Sequence, residues 1–243
     1  MPPERRRIPI ASESAGCNAT LTGEWAHYLA RVLRARTGEQ VWAFCGDGHD
    51  YLYEVSSVLP SQVHLRFVER RQVRTDPTRE LVLVVALPKA GKLEAMIEAA
   101  TALGATCIFP FVSARSEGKP SAHQRARWNK AALEAARQCG RTTTPELAEP
   151  ARSLAEAVAE LHAALPAVRG AVGDPNAGQS LRAWSEAQPP GVALAWLVGP
   201  EGHLSPGELE TAVAAGFEAV SLGPRILRAE LAATAGLALL SRP

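Results

Sequence analysis

The chain has 243 residues, of which 47% are hydrophobic and 21% charged, and 26 basic residues nearly balance 25 acidic ones. This size and composition support one large domain or two small ones, and they exclude disordered, collagen-like and coiled-coil proteins. No apolar stretch approaches the roughly 18 residues of a membrane span, so we expect no membrane partner. Arginine dominates the basic residues, and the clusters at 66–74 and 115–141 are compatible with nucleic-acid binding.

The first 75 residues predict one helix and several short strands. Apolar residues recur at helical spacing from Trp25 to Leu33, so a helix is expected to end before Gly38. Short strands around tight turns, such as Gly46-Asp47-Gly48, are typical of a small β-barrel. The polar stretch from Arg70 to Arg79 is interpreted as a linker. The predicted strands are 41–44, 51–58 and 63–68.

After residue 75 strands and helices alternate. The apolar run Leu81–Leu87 predicts a strand that is covered on both faces, and a helix follows from Leu93 to Leu103. Alternation of this kind predicts an α/β domain with a mostly parallel sheet, so we expect a barrel over 1–75 and an α/β domain over 76–243. Further strands are predicted at 106–111, 167–172, 192–198 and 217–222, and further helices at 125–139 and 154–165.

Several familiar motifs are incomplete or absent. The segment 86–93 lies between a predicted strand and a predicted helix, where a P-loop would lie. It lacks the first glycine of that motif, and Leu93 stands where Ser or Thr would bind Mg²⁺. There is no GxGxxG or GxSxG motif, and no pair of Cys or His residues has metal-ligand spacing, so no metal is expected. Four scattered cysteines and the lack of an apolar signal core predict a cytoplasmic protein.

Two glycine-bearing loops near the C-terminus are the best candidates for a ligand site. Gly199-Pro200-Glu201-Gly202 follows one predicted strand, and Gly223-Pro224-Arg225 follows the next. Parallel sheets bind ligands at the carboxyl ends of their strands, and glycine lets the backbone approach a ligand closely. The alternative is a pair of ordinary strand-to-helix turns, with Ser205-Pro206 capping a helix.

Taken in order, these motifs resemble those of one family. The segments that carry the resemblance are His27-Tyr28-Leu29, Val32-Leu33-Arg34, Gly199-Pro200-Glu201-Gly202 and Leu222-Gly223-Pro224-Arg225-Ile226-Leu227-Arg228, with Lys89, Lys92, Glu94, Trp128, Glu134, Gln138 and Pro145 between them. The chain resembles the ribosomal RNA uridine-N3 methyltransferases of the RsmE family, in the SPOUT class. The resemblance implies a PUA-like RNA-binding β-barrel over 1–75 and a SPOUT α/β domain with a C-terminal trefoil knot over 76–243.

The resemblance also implies an activity and its participants. The protein would be a homodimer that uses S-adenosyl-L-methionine to methylate N3 of a specific uridine in 16S rRNA of the small ribosomal subunit. Arg228 would stabilise charge on a uracil carbonyl oxygen, and Glu201 would act as a base or position the cofactor. The implied cofactor-binding residues are Leu197, Val198, Gly199, Glu201, Gly202, Leu222, Gly223, Ile226, Leu227 and Arg228. The implied RNA-binding residues are Arg31, Arg34, Arg115, Lys119, Arg137 and Arg141.

Three positions depart from the family pattern and keep alternatives open. His203 stands where the family has a second glycine, Leu231 where it has threonine, and Ala102 where it has an acidic residue. One alternative is an RNA-binding ribosome assembly factor without catalysis. Another is a SPOUT enzyme that acts on a ribose 2′-hydroxyl or on tRNA.

Overall fold

The computed structural model describes residues 6–73, 75, 78–88, 92–116 and 122–241. The chain forms two compact units, each made of two stretches of sequence. Met1–Asp76 and Ala136–Thr144 make the first unit, and Pro77–Ala135 and Pro145–Pro243 make the second. Over the described ranges, no helix has both the length and the apolar character to cross a membrane.

The first unit is built on a five-stranded sheet of order β1-β3-β4-β5-β2. β1 pairs with β3 in parallel, and the other neighbours are antiparallel. The three predicted strands are confirmed, whereas β1 and β2 are additions. A 3₁₀ turn at Ser12–Ser14 and helix α1 (Gly23–His27), which continues into a π-helical turn at Tyr28–Val32, complete the unit. The strands are β1 (Arg7–Pro9), β2 (Ala19–Thr22), β3 (Gln40–Phe44), β4 (His49–Val58) and β5 (Gln62–Gln72).

The linker interpretation of the stretch from Arg70 to Arg79 is wrong at its start. β5 continues to Gln72, and its last residues pair with the beginning of β4. The Arg71 guanidinium lies 4.0 Å from the centre of the Trp42 ring. The polar side chains are compatible with a strand here because the backbone pairs with β4 while residues 70–72 stay exposed.

A buried ion pair organises the interior of the first unit. Arg7 and Asp50 are 5% and 2% exposed, and two guanidinium nitrogens of Arg7 donate to Asp50 Oδ1 at 2.9 and 2.6 Å. The third nitrogen donates to the carbonyl oxygens of Ala136 and Arg141 at 3.0 and 2.7 Å. The same guanidinium lies 4.2 Å from the centre of the Phe44 ring. One side chain therefore holds the 136–144 segment against the strands.

The second unit is a six-stranded parallel sheet of order β11-β9-β10-β6-β7-β8, which confirms the predicted parallel α/β class. Two clusters of buried apolar side chains cover the sheet. The strands are β6 (Leu81–Ala86), β7 (Cys107–Phe111), β8 (Glu146–Leu147), β9 (Arg169–Gly173), β10 (Leu194–Val198) and β11 (Phe217–Val220). The helices are α2 (Lys92–Ala102), α3 (Ala122–Cys139), α4 (Leu154–Ala164), α5 (Leu181–Glu186), α6 (Pro206–Ala214) and α7 (Ala229–Leu240).

Helix α7 packs very closely on the middle of the sheet. A Cβ atom added at Gly236 would lie 2.2 Å from Nε1 of Trp196, so only glycine fits there. Nε1 of Trp196 donates a hydrogen bond to the carbonyl oxygen of Ala232, 3.1 Å away. The start of α7 is therefore fixed over the carboxyl end of β10.

Candidate active site

An open cleft lies where β9, β10 and β11 end. These strands are parallel neighbours, so their carboxyl ends and the loops that follow them meet at one edge of the sheet. Both predicted glycine loops contribute, and so does the end of β9. The lining residues are Gly173, Asp174, Pro175, Trp196, Val198, Gly199, Pro200, Glu201, His203, Leu204, Val220, Leu222, Gly223, Arg225, Leu227, Ala229 and Ala232.

The floor of the cleft is apolar and its rim is charged. Trp196 and small or aliphatic side chains from the strands and from α7 form the floor, whereas Asp174, Glu201 and Arg225 lie among the loop residues. Gly223 has a left-handed φ of +114°, and a Cβ atom added there would meet nothing within 4 Å. Its backbone is therefore open to close approach by a ligand.

The first glycine loop is a tight turn with one strained residue. The N–H of His203 donates to the carbonyl oxygen of Pro200 at 2.9 Å, which closes a turn over 200–203. His203 has a φ of +59°, in the left-handed region that glycine adopts without strain. This chain therefore holds a histidine in a backbone conformation that favours glycine.

Two cationic side chains from other elements contact this loop. Lys92 Nζ, at the start of α2, donates to Glu201 Oε1 at 2.8 Å and lies 3.8 Å from Glu230 Oε2 on α7. The hydrogen bond to Glu201 and the nearby carboxylates raise the pKa of Lys92, although the Arg228 charge opposes this. Arg115 donates a short hydrogen bond to the carbonyl oxygen of Gly202. Lys92 therefore holds the loop through the side chain of Glu201, and Arg115 holds it through the backbone of Gly202.

The segment after the loop begins α6 with a complete capping box. Ser205 Oγ accepts from the N–H of Glu208, and the Glu208 carboxylate accepts from the N–H of Ser205 at 2.8 Å. It also accepts from the N–H of Ala114 at 3.0 Å. Burial opposes ionisation of Glu208, but these hydrogen bonds outweigh it and lower its pKa below 4.5. The predicted cap at Ser205-Pro206 is confirmed, and it adjoins the cleft.

Family models match both parts of the chain. An RNA methyltransferase domain model matches residues 74–241, and an RNA methyltransferase PUA domain model matches 21–68. A ribosomal RNA small subunit methyltransferase E from Synechocystis sp. is 34% identical, over 96% of this chain and 76% of that protein. The protein of the same name from Bacillus subtilis is 30% identical, over 91% of this chain and 89% of that protein.

The chain belongs to the ribosomal RNA small subunit methyltransferase E family. The resemblance inferred from the sequence is confirmed, together with the PUA-like first part and the α/β second part. The match takes in both glycine loops and the departure at His203.

Two solved structures share the fold along nearly the whole chain. One is a putative methyltransferase from Legionella pneumophila in complex with the bound cofactor SAM. It is 29% identical, with a TM-score of 0.86, over 96% of both chains. The other is a ribosomal RNA small subunit methyltransferase E from Neisseria gonorrhoeae bound to S-adenosyl methionine. It is 25% identical, with a TM-score of 0.86, over 96% of this chain and 95% of that chain.

Six of the ten predicted cofactor residues line the cleft in this member of the family. They are Val198, Gly199, Glu201, Leu222, Gly223 and Leu227. The Leu197 side chain is fully buried in the core of the sheet, and Ile226 is 72% exposed. Three further predicted cofactor residues, Gly202, Ile226 and Arg228, do not line the cleft. A contact between Ile226 and the adenine stays a prediction.

The sequence did not predict the contribution of β9. Gly173, Asp174 and Pro175 line the cleft, and so does Trp196 from within β10. The available signal was the predicted strand 167–172, whose carboxyl end lies at the same sheet edge as the two loops.

Within the part of the chain that the structure describes, no group of three His, Cys, Asp or Glu residues is arranged to hold a metal ion.

The predicted RNA-binding residues lie in different settings. Arg31 and Arg34 are exposed. Arg137 stacks 5.1 Å from the centre of the Tyr28 ring and donates to its hydroxyl oxygen at 3.1 Å. Arg141 is 3% exposed, and Nη2 contacts Thr143 Oγ1 at 3.2 Å. Its part in RNA binding stays a prediction. Lys119 lies outside the described residues, as does Lys89, one of the residues that carried the family resemblance.

Proposed function

We propose that this protein transfers a methyl group from S-adenosyl-L-methionine to N3 of a uridine in 16S rRNA of the small ribosomal subunit. The supporting observation is the cleft that two glycine loops frame at the carboxyl ends of parallel strands. Members of the same fold have been solved with this cofactor, and members of the same family carry the name of a small-subunit rRNA methyltransferase.

The residues that line the cleft are compatible with S-adenosyl-L-methionine in their chemistry. The apolar side chains around Trp196 and Leu227 suit an adenine ring, and the open space beside Gly223 lets a ligand approach the backbone closely. On the rim, Arg225 can pair with a carboxylate, and Asp174 can pair with an ammonium group.

When bound, the cofactor supplies an electrophilic methyl group, so the protein's main task is to position and activate the acceptor. Uracil N3 carries a proton at neutral pH, and a nearby positive charge favours its removal. Arg228 is exposed at the N-cap of α7, and its charge acts on Lys92 at the same end of the sheet. We assign Arg228 to stabilising the charge on a uracil carbonyl oxygen. Glu201 pairs with Lys92, which favours a positioning role for it over that of a base.

Each unit has its own part in this proposal. The PUA-like first unit binds RNA through Arg31 and Arg34, and the second unit carries the methyltransferase site. Structured RNA must present the target uridine unstacked, because N3 lies on the pairing edge of the base. Phosphate contacts release counterions, so we expect RNA affinity to fall with added salt.

The proposal includes a homodimer. Ile226 and Leu231 are 72% and 52% exposed beside the cleft, and a second copy would cover these apolar side chains. Light scattering coupled to gel filtration measures the mass, and Ile226→Glu is expected to shift the protein toward monomer.

The trefoil knot implied by the resemblance stays a prediction. Since ribosomal RNA is the proposed substrate, we also propose a cytoplasmic location.

The decisive experiment is a methyl-transfer assay with labelled cofactor. Unmodified small subunits and naked 16S rRNA serve as substrates, and mass spectrometry identifies the nucleoside. We expect 3-methyluridine; a ribose-methylated product, or binding of RNA without transfer, would refute the proposed reaction.

The role of Arg228 is tested separately. Arg228→Ala is expected to lower kcat about a hundredfold, the cost of removing one charge-stabilising donor, with little change in the KM for the cofactor. Arg152→Ala, in an exposed pair with Glu156 on α4, is the matched control. Unchanged turnover in Arg228→Ala would remove that residue from the mechanism.

A further inference from the structure

The first unit carries a tightly wound turn over residues 28–35, which we call the knuckle. The N–H of Leu33 donates to the carbonyl oxygen of Tyr28 at 2.9 Å, a bond across five residues that defines a π-helical turn. The N–H of Ala35 then donates to the carbonyl oxygen of Leu29, also at 2.9 Å. π-helical turns are rare and are frequently found at functional sites.

The knuckle is rigid because its inner side is anchored. Leu29 is fully buried and Ala35 is 8% exposed. The Tyr28 ring packs edge-on against Trp25, with ring centres 5.6 Å apart, and Arg137 covers it. A segment held in this way presents its outer side chains in fixed positions, which lowers the entropy lost on binding.

Arg34 occupies the position where glycine would be expected. Its φ is +50°, and it lies between the residues whose N–H groups close the turn. A left-handed conformation is unfavourable for a non-glycine residue, and helix ends of this kind usually carry glycine. A residue in a disfavoured backbone conformation is a candidate for a functional role, and here that residue is an exposed arginine.

The outer side of the knuckle combines one apolar side chain with two cations. Val32 is 60% exposed, and Arg31 and Arg34 on either side of it are exposed as well. Neither guanidinium has an ion-pair partner within the part of the chain that the structure describes. An exposed valine between two unpaired arginines matches a ligand with an apolar face and flanking negative charges.

We propose that the knuckle holds one unpaired nucleotide of the substrate RNA, with Val32 against the face of the base and Arg31 and Arg34 on the flanking phosphates. This inference rests on the proposed function, which makes RNA the substrate. An unpaired base is required because base faces inside a duplex are covered by their neighbours. Val32 thereby favours single-stranded or splayed RNA, a selectivity that phosphate contacts alone do not provide.

The test measures binding of the full-length protein to a short single-stranded RNA and to the same RNA annealed to its complement, over a range of salt concentrations. Arg34→Gly suits the left-handed backbone, so we expect its melting temperature to be equal or higher while its RNA affinity falls. The expected loss is about fivefold at physiological salt, and the slope of log affinity against log salt falls by about 0.7 for the single strand. Arg34→Lys keeps the charge and should retain most of the slope.

Val32→Ser gives a different signature. It leaves the salt slope unchanged and weakens single-strand binding about threefold to tenfold, the value of a small apolar contact, with no effect on the duplex. The matched controls are Val68→Ser on β5, where Val68 is 41% exposed, and Arg152→Ala, whose side chain pairs with Glu156. Both should bind RNA like the unaltered protein.

Three results would overturn the proposal: unchanged RNA affinity in Arg34→Gly, an equal loss on both probes in Val32→Ser, or equal losses in the controls. The methyl-transfer assay on the unaltered protein is read independently. If it yields no 3-methyluridine while the variants lose single-strand affinity as described, the proposed reaction fails and the knuckle stands as an RNA site.

Discussion

The buried pair of Arg7 and Asp50 provides the sharpest stability prediction. Arg7→Met keeps much of the side-chain volume and removes the charge and all four hydrogen bonds. Asp50, which is 2% exposed, would then keep one cationic partner among the described residues, Arg71, whose Nη2 lies 3.4 Å from Oδ2. The carbonyl oxygens of Ala136 and Arg141 would lose a donor in a buried setting.

The loss follows from these contacts. Breaking a buried ion pair by removing one partner costs about 3–5 kcal/mol, and the remaining contact with Arg71 places this case toward the lower end. Loss of the donor to the Arg141 carbonyl adds about 1 kcal/mol. The Ala136 carbonyl adds little because it still accepts from the N–H of Gly140 at 3.1 Å. We therefore expect Arg7→Met to lower the free energy of unfolding of the first unit by about 4 kcal/mol.

Urea denaturation of the full chain, with hydrogen exchange of the amides in β3, β4 and β5, measures this loss where it occurs. Arg66→Met is the control, because its pair with Glu54 is exposed and should contribute less than about 1 kcal/mol. The double variant Arg7→Met with Asp50→Leu should regain part of the loss, since no unpaired charge remains buried. If Arg7→Met costs no more than Arg66→Met, the reasoning about this cluster is wrong.

Three further predictions concern the second unit. Lys92→Met should raise the KM for the cofactor about fivefold with kcat within about twofold, since its partly exposed pair with Glu201 contributes only modestly to holding the loop. Steady-state kinetics test this, and a fall in kcat alone would contradict it. His203→Gly should stabilise the protein by about 1 kcal/mol in thermal denaturation by relieving the left-handed strain, and a lower melting temperature would count against that strain. Glu208 has a lowered pKa, so its stabilising contribution is present above pH 4.5 and is lost as the pH falls through its folded pKa. Melting temperatures between pH 7 and acid should therefore decline less steeply in Glu208→Gln, and parallel curves would argue against this contribution.

Much of the fold was predictable because hydrophobic patterning determines it. The apolar run from Leu81 is buried on both faces, as expected of a central parallel strand, and the alternation after it yields the parallel sheet. β1 and β2 were not predicted because three- and four-residue strands carry too little pattern. The extension of β5 through Arg71 depends on pairing with β4, which a local polarity pattern does not register.

The site was predictable in its loops and less so in its details. Glycine and proline after apolar strands identified both loops that frame the cleft. The contribution of Asp174 depends on strand order, because β9 lies between β10 and β11 although it precedes both in the chain. The hydrogen bonds from Lys92 to Glu201 and from Arg115 to Gly202 were not predictable because each joins residues far apart in sequence. Arginine is a residue type that commonly contacts phosphate, so the sequence suggested that role for Arg141. Its burial was not predictable because it follows from the tertiary packing of the 136–144 segment.

The two-part make-up of the first unit has a consequence for its synthesis on the ribosome. When residue 76 has been added, the strands of this unit exist, but Ala136 and Arg141, which accept hydrogen bonds from Arg7, do not. At about 5–20 residues per second, translation takes seconds to reach them. During that interval a guanidinium destined for the interior lacks two of its acceptors, so this unit reaches its final stability only after much of the following domain has been made. For the same reason, a proteolytic or recombinant fragment that stops at residue 76 would be a weakened version of the unit.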